Sequence, residues 1–248
     1  MPGEDMKRPE RNAQFARALM ELRSLVLKGT YPGGERLPET VLAERLGLSR
    51  TPLRQAMDRL VDEGLLERNE TGGCRVATFS MDDIKDAIEL RGVMEGTAAR
   101  LAAERGTDPM LAARMSEVLE ALDEAVAGEL DFKAYVTLNG EFHDLLARLA
   151  GSAVVAREVE RASRLPAASP TAFLQGQVMI PDFRDSLRRA QVQHRAIFEA
   201  IVNREGARAE ALAREHARLA RSNLEYVMSV GPDLVERVPG LALVAEDT

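Results

Sequence analysis

The chain has 248 residues, 45% hydrophobic and 29% charged, with one cysteine and a formal net charge of −7. That length allows two domains of ordinary size, and no apolar run approaches what a membrane-spanning helix needs. The N-terminal stretch to Glu10 is polar and mixed in charge, unlike a signal peptide, and Cys74 alone supports no intrachain disulfide framework, so a reducing cytoplasm is the expected setting.

The acidic total argues against a nucleic-acid binder until the chain is divided at Ser80. Residues 1–80 hold 13 Lys+Arg and 12 Asp+Glu, net +1, which leaves 20 against 28, net −8, for the remainder. Charge able to meet phosphates is therefore local, on Arg50 and Arg54 with Arg36, Arg68 and Arg75 nearby.

In chain order, Phe15, Leu19, Leu22 and Val26 share a face and predict a helix over 13–28, ended by Gly29. After a turn at 31–34, Val41, Leu42 and Leu46 predict a short helix over 38–46, and Gly47 can take the positive φ that ends it. Ser49 then stands as N-cap of a second helix, its hydroxyl expected to accept from an early backbone N–H, with Pro52 tolerated in the first turn. Leu53, Met57, Leu60 and Val61 form that helix's apolar face, while Arg50 and Arg54, four apart, project together from another. Two short β-like runs, 64–68 and 74–77, flank a Gly-rich turn at 69–73 and read as a wing. Together these are the parts of a winged helix-turn-helix, whose second helix offers side chains to base edges and N–H groups to phosphates.

No strand pattern appears after residue 80. Ser80, Met81, Asp82 and Asp83 open a helix running to about 104, with acids where the helix dipole favours them. Helices follow over 109–127, 131–149 and 152–164, then a loop over 164–181 with three prolines, then helices over 182–203 and 207–230. The expected fold is mainly α: a winged helix-turn-helix with a small β wing over 1–79, an all-helical antiparallel bundle of six or seven helices over 80–230, and a flexible tail over 231–248.

The chain's three histidines, His143, His194 and His216, each fall mid-helix in a different predicted helix. Asn139 and His143 share a face with Phe142 and Leu146; His194 precedes the stripe Ile197, Phe198, Ile201; His216 lies between Leu212 and Leu219. All three rings can point into one bundle interior, where neutral imidazoles can bind a divalent metal. Zinc is the expected occupant, with nickel or manganese as alternatives, because imidazole selects weakly among them.

The run Gly34-Glu35-Arg36-Leu37-Pro38-Glu39, then Leu42-Ala43, Leu48-Ser49-Arg50-Thr51-Pro52-Leu53-Arg54 and Glu63-Gly64-Leu65 resembles the winged helix-turn-helix of GntR-type bacterial transcription regulators. The FadR branch of that family holds DNA through positions matching Ser49, Arg50, Thr51, Arg54 and a wing glycine, Gly73 or its neighbour Gly72. Thr40 stands where some members carry an arginine. Further on, Leu90-Arg91, Met94-Glu95 and Leu101-Ala102-Ala103, then Asn139, Phe142-His143, His194 and Glu215-His216 resemble the branch's ligand-binding FCD domain. That likeness implies a metal held by Asn139, His143, His194 and His216, and an effector acid reaching it. Asn139 replaces the family's usual Asp, so the ligands are all neutral and attraction for an anionic effector is stronger. Arg91 is a candidate carboxylate anchor, an ion pair with Glu95 being its alternative role, and Asn223 is a further pocket candidate. The surroundings of His194 and His216 are similar to VanR-type regulators.

The resulting expectation is a homodimeric regulator, acting as a repressor, whose operator binding responds to a small carboxylate. The rival is a metal-dependent hydrolase using the three-histidine site. Glu141 and Glu215 are acids close to the histidines in sequence, but one or two residues from a ligand turns a helical side chain away from it.

Overall fold

A computed structural model describes residues 7–70, 72–172, 174, 183–230, 238 and 240–245. Residues 173 and 175–181 of the expected proline-containing loop, and 231–237, 239 and 246–248 of the expected tail, lie outside the described residues. The chain forms two compact units, residues 1–83 with 239–248, and residues 84–238.

In the first unit, α1 (Lys7–Leu27) ends at Gly29, whose φ of +69° allows the reversal that a Cβ would oppose. Helices α2 (Glu39–Leu46) and α3 (Arg50–Asp62) are separated by Gly47 in the left-handed region. Leu22 and Val26 of α1, Leu42 of α2, and Leu53, Met57 and Leu60 of α3 close a single core. Glu63, buried at the end of α3, fastens that core from outside: Arg23 of α1 donates to it at 2.7 Å and Arg59 at 3.0 Å. The wing is an antiparallel sheet in the order β1-β3-β2, made of β1 (Arg36–Leu37), β2 (Leu66–Arg68) and β3 (Cys74–Val76). Cys74 and Val76 point into the core while Arg75 points out, the period-two alternation of a half-buried strand. β1 pairs with β3 through Leu37 and Cys74. Two residues carry no periodic signal, so this strand had no counterpart in the sequence-based expectation.

The expected flexible tail needs correction over 240–245. Leu241–Leu243 form a 3₁₀ turn packed in this first unit, and Val244 pairs with Phe79 in a parallel bridge. Leu243 joins the core of the winged unit. A segment this short cannot display a hydrophobic period, and only its tertiary partners order it.

The second unit contains six helices among the described residues: α4 (Met81–Arg105), α5 (Pro109–Val126), α6 (Phe132–Leu149), α7 (Ala153–Ser163), α8 (Phe183–Val202) and α9 (Gly206–Val230). Their starts follow local chemistry. Asp108 accepts from the N–H groups of Met110 and Leu111, Asp131 from Ala134, and Ser152 from Val155. Leu119, Leu122, Phe142, Leu146, Ile197 and Ile201 form the centre of the core. Gly92 and Gly96 let α4 approach α9 closely. A Cβ at Gly92 would lie 2.7 Å from that of Ala217, and one at Gly96 would lie 2.9 Å from the Arg214 side chain. This approach brings Arg91 and Glu95 toward the turn of α9 that carries His216. Among the described residues no helix is long and apolar enough to cross a membrane.

Candidate nucleic-acid interface and candidate metal centre

The two faces of α3 are sorted by its helical period. Pro52, Leu53, Ala56 and Met57 turn inward, leaving Ser49, Arg50, Thr51, Arg54, Gln55 and Asp58 exposed on the other side. Ser49 holds the N-cap backbone geometry, φ −72° and ψ 158°, but its hydroxyl makes no cap hydrogen bond. The expected cap fails because Pro52 occupies the third helical position and has no N–H to give, which leaves fewer donors in reach. The hydroxyl is thereby left to other partners. Ser49, Thr51 and Gln55 border an open hollow of about 710 Å³ together with Asn12 and Phe15 of α1.

The cations around this face are held by carboxylates. Arg54 donates to Glu39 of α2 at 2.6 Å, Arg75 pairs with its cross-strand neighbour Glu67 at 2.7 Å, and Arg68 pairs with Asp58. No such pair forms at Arg50 among the described residues. The wing turn closes by Asn69 N–H to the Gly73 carbonyl, 2.9 Å, and Gly73 N–H to the Asn69 side chain, 2.8 Å. Of the two wing glycines, Gly72 has the positive φ, +82°. Glu39 and Gln55 were not singled out by sequence; Gln55 sits four residues after Thr51, the spacing that put Arg54 after Arg50.

In the helical unit the three histidines converge. His143 of α6, His194 of α8 and His216 of α9 are all buried, with ligand-capable atoms within 4.8 Å of one another. The ring of Phe142, itself fully buried, lies 4.0 Å from that of His194 and backs the cluster. Each ring is oriented from behind. The Nδ1 atoms of His143, His194 and His216 face Glu95 Oε1 at 2.8 Å, Gln191 Oε1 at 3.1 Å and Gln193 Oε1 at 3.0 Å. Gln191 donates its own amide to Leu119 and Asp123, which fixes its oxygen toward His194. These acceptors place a proton on every Nδ1 and leave Nε2 as the lone-pair nitrogen, the arrangement that outer-shell oxygens impose on metal-binding imidazoles.

The Nε2 atoms of His194 and His216 are 3.0 Å apart. A neutral tautomer with its proton on one Nε2 would make this a hydrogen bond; with the protons on Nδ1 the two lone pairs face each other, an arrangement that a shared cation relieves. Protonation is opposed. Burial, then the neighbouring His216 and His143, holds His194 well below the ordinary imidazole value, and burial with His143 holds His216 at about 3 despite Glu95. The donor set therefore fits a divalent cation. Asn139 is buried on the same wall; its amide donates to the Pro170 carbonyl at 3.3 Å, which turns its oxygen to other use. A cavity of about 40 Å³ is lined by Asn139, His143, His216, Arg91 and Asn223, so of the sequence-based candidates for this unit only His194 lies behind it.

Arg91 and Glu95 form the expected i,i+4 contact at 3.3 Å, but inside the unit, at 2% and 0% side-chain exposure. Burial resists ionisation of Glu95, yet Arg91, then His143 and His216, outweigh it and hold the carboxyl at about 2. The Arg91 Nε has no hydrogen-bond partner among the described residues. Glu95, Gln191 and Gln193 were missed as site residues. Only Gln191, three residues before His194, had a sequence signal. The two acids considered as hydrolytic bases lie elsewhere: Glu141 is tied to Arg114 at 2.7 Å, and Glu215 is exposed.

A winged helix-turn-helix joined to a helical unit defines a DNA-binding protein with a separate helical domain. Two protein families match the chain in that order: bacterial regulatory proteins of the gntR family over residues 16–76, and the FCD domain over residues 86–219. The chain therefore belongs to the gntR family of transcription regulators, in its FCD-bearing branch. Among its relatives, an uncharacterized HTH-type regulator of Bacillus subtilis, YdhC, is 25% identical over 93% of this chain and 99% of its own length. The transcriptional repressor GlaR of Escherichia coli is 29% identical over 79% of this chain and 88% of its own. The E. coli Glc operon transcriptional activator is 27% identical over 86% and 90%. Of solved structures, E. coli McbR/YncC superposes with a TM-score of 0.61 at 19% identity, covering 88% of this chain and 98% of that one. That last likeness concerns the fold. The relatives named by function are regulators, not enzymes.

Proposed function

We propose that this regulator reads operator DNA with Ser49, Arg50, Thr51 and Arg54 of α3 and with the wing at Gly73, and that a small carboxylate controls it through a metal in the helical unit. The observation that supports the second half is the convergence of three buried histidines, each meeting a side-chain oxygen at Nδ1, beside a buried arginine whose Nε–H has no partner among the described residues. His143, His194 and His216 would hold one divalent ion per chain with Asn139 as fourth ligand, zinc being favoured and nickel or manganese compatible. The ion would supply a positive centre for an anionic group. Arg91 offers its free Nε–H to a carboxylate, and Asn223 lines the same space. A cavity of about 40 Å³ admits such an acid only if its lining opens, so binding favours an open state of the helices that carry the ligands.

The protein works as a cytoplasmic homodimer in this reading, two copies of α3 addressing palindromic half-sites. We assign it as a repressor, in line with the repressor among its relatives. A reporter from its own upstream region that rises on removal of the protein supports repression, and a fall assigns activation instead.

Elemental analysis with native mass spectrometry on the purified protein tests the site. One metal per chain is expected, lost in His194→Ala, with chelation abolishing any effect of added acids on operator binding while leaving the protein able to bind DNA. Asn139→Asp should raise metal affinity and lower carboxylate affinity, because the added charge offsets the ion. If calorimetry finds carboxylates binding the metal-stripped protein as tightly as the loaded one, the histidines are structural and the metal mechanism falls.

A further inference from the structure

Residues 240–245 are built into the winged unit. Leu241 is 2% exposed and Leu243 0%, the latter in the same core as Leu53, Met57 and Leu60 of α3. Main-chain bonds hold the segment at both ends. Gly240 N–H donates to the Leu27 carbonyl at 2.9 Å, Phe79 N–H donates to the Leu243 carbonyl at 3.0 Å, and Ala245 N–H donates to the Phe79 carbonyl at 2.9 Å. Gly29, just beyond α1, lies so near that a Cβ there would stand 2.5 Å from the Ala242 Cβ. The segment thus ties the end of α1 to Phe79, immediately ahead of α4.

The chain passes between its two units twice, once within α4 after Asp83 and again after Val238. The second passage follows α9, the helix that bears His216 and ends at Val230. A segment that packs on α1, in the core that α1 shares with α3, and that follows α9 in the chain is well placed to convey a change in one to the other.

We infer that the C-terminal segment is a clamp on the winged unit, through which the state of α9 reaches the DNA-reading helix. The coupling to α9 rests on the metal-site reading above; the clamp itself does not. Docking buries two leucines and forms three main-chain hydrogen bonds, and release would withdraw Leu243 from the core that α1 shares with α3 and free the end of α1. Docked and released forms are the two discrete states that a coupling element needs.

The test compares the full chain with a chain stopped after Val238, and with full-length Leu243→Ala as a milder variant, each checked for native helix content by circular dichroism. Amide exchange at Phe79 is expected to quicken by roughly tenfold or more once its acceptor is lost or loosened. Operator affinity should shift by about tenfold, the usual size of a coupling effect. Any difference in operator affinity between zinc-loaded and EDTA-stripped wild type should shrink in both variants. Unchanged Phe79 exchange and operator affinity in folded variants overturn the clamp. A zinc-dependent difference that persists undiminished in them overturns the coupling. If neither protein takes up zinc, the metal reading fails, and the clamp is decided by Phe79 exchange and operator affinity alone.

Discussion

The two units treat charge in opposite ways. In the winged unit Arg54, Arg68 and Arg75 lie at the surface, each beside a carboxylate and each more than half exposed. In the helical unit Arg91 and Glu95 are sealed from solvent, with His143 Nδ1 2.8 Å from the Glu95 carboxylate. Exposed pairs are worth about 0–1 kcal/mol, so they can be exchanged for phosphate at small cost. A buried pair stabilises little against apolar residues of the same size, but losing one partner leaves a desolvated charge. The first arrangement suits a surface that must trade partners. The second suits a site whose geometry must not drift.

The sharpest way to break this comparison is Glu95→Ala. It strands Arg91, whose Nε lacks a partner among the described residues, and removes the oxygen that orients His143. In metal-stripped protein, urea unfolding should show a loss of roughly 3–5 kcal/mol. The double variant Arg91→Met/Glu95→Leu should lose less than Glu95→Ala alone, because no charge is left buried. A Glu95→Ala protein within 1 kcal/mol of wild type on the order of surface substitutions would mean that water reaches this pair.

That contrast also explains what could be read from sequence. The winged motif was legible because its signals are local: Gly47, Ser49, Pro52 and the Arg50/Arg54 spacing all lie within a few residues of the structure they specify. The starts of the helices expected over 109–127, 131–149 and 152–164 were legible to within a residue for the same reason. The histidines were legible as a set, each mid-helix beside apolar neighbours. Their supports were not, since Glu95 reaches His143 from 48 residues away and Gln193 meets His216 from the neighbouring helix. Segment 240–245 was misread because its order comes from Leu27 and Phe79, both distant in sequence. The Ser49 cap failed through a local conflict that was visible, since Pro52 removes one of the N–H groups a cap would use.

A smaller effect is expected at α3. Arg54→Ala should weaken operator binding by about 1–3 kcal/mol, read by fluorescence anisotropy. Thermal stability should scarcely move, because the Arg54–Glu39 pair is exposed. The two readouts separate a DNA contact from a structural ion pair. Operator affinity unchanged in a folded Arg54→Ala protein would assign Arg54 to Glu39 alone and shift the reading role to Arg50.

The smallest effect, and the finest test of exchangeable surface charge, is at Arg75. Its guanidinium sits on the outward side of β3, paired across the sheet with Glu67 at 2.7 Å and more than half exposed. If Arg75 exchanges Glu67 for a phosphate, only one counterion is released by that contact. Arg75→Ala should then lower the slope of log affinity against log salt by about 1 and weaken binding similarly on operator and unrelated DNA. Glu67→Gln removes the competing carboxylate while keeping Arg75, so it should strengthen binding to both DNAs at low salt. Neither change should alter folding stability by more than about 0.5 kcal/mol. A salt slope identical to wild type in Arg75→Ala would place the wing arginine away from phosphate, and the Glu67 pair would then be a cross-strand contact serving the sheet alone.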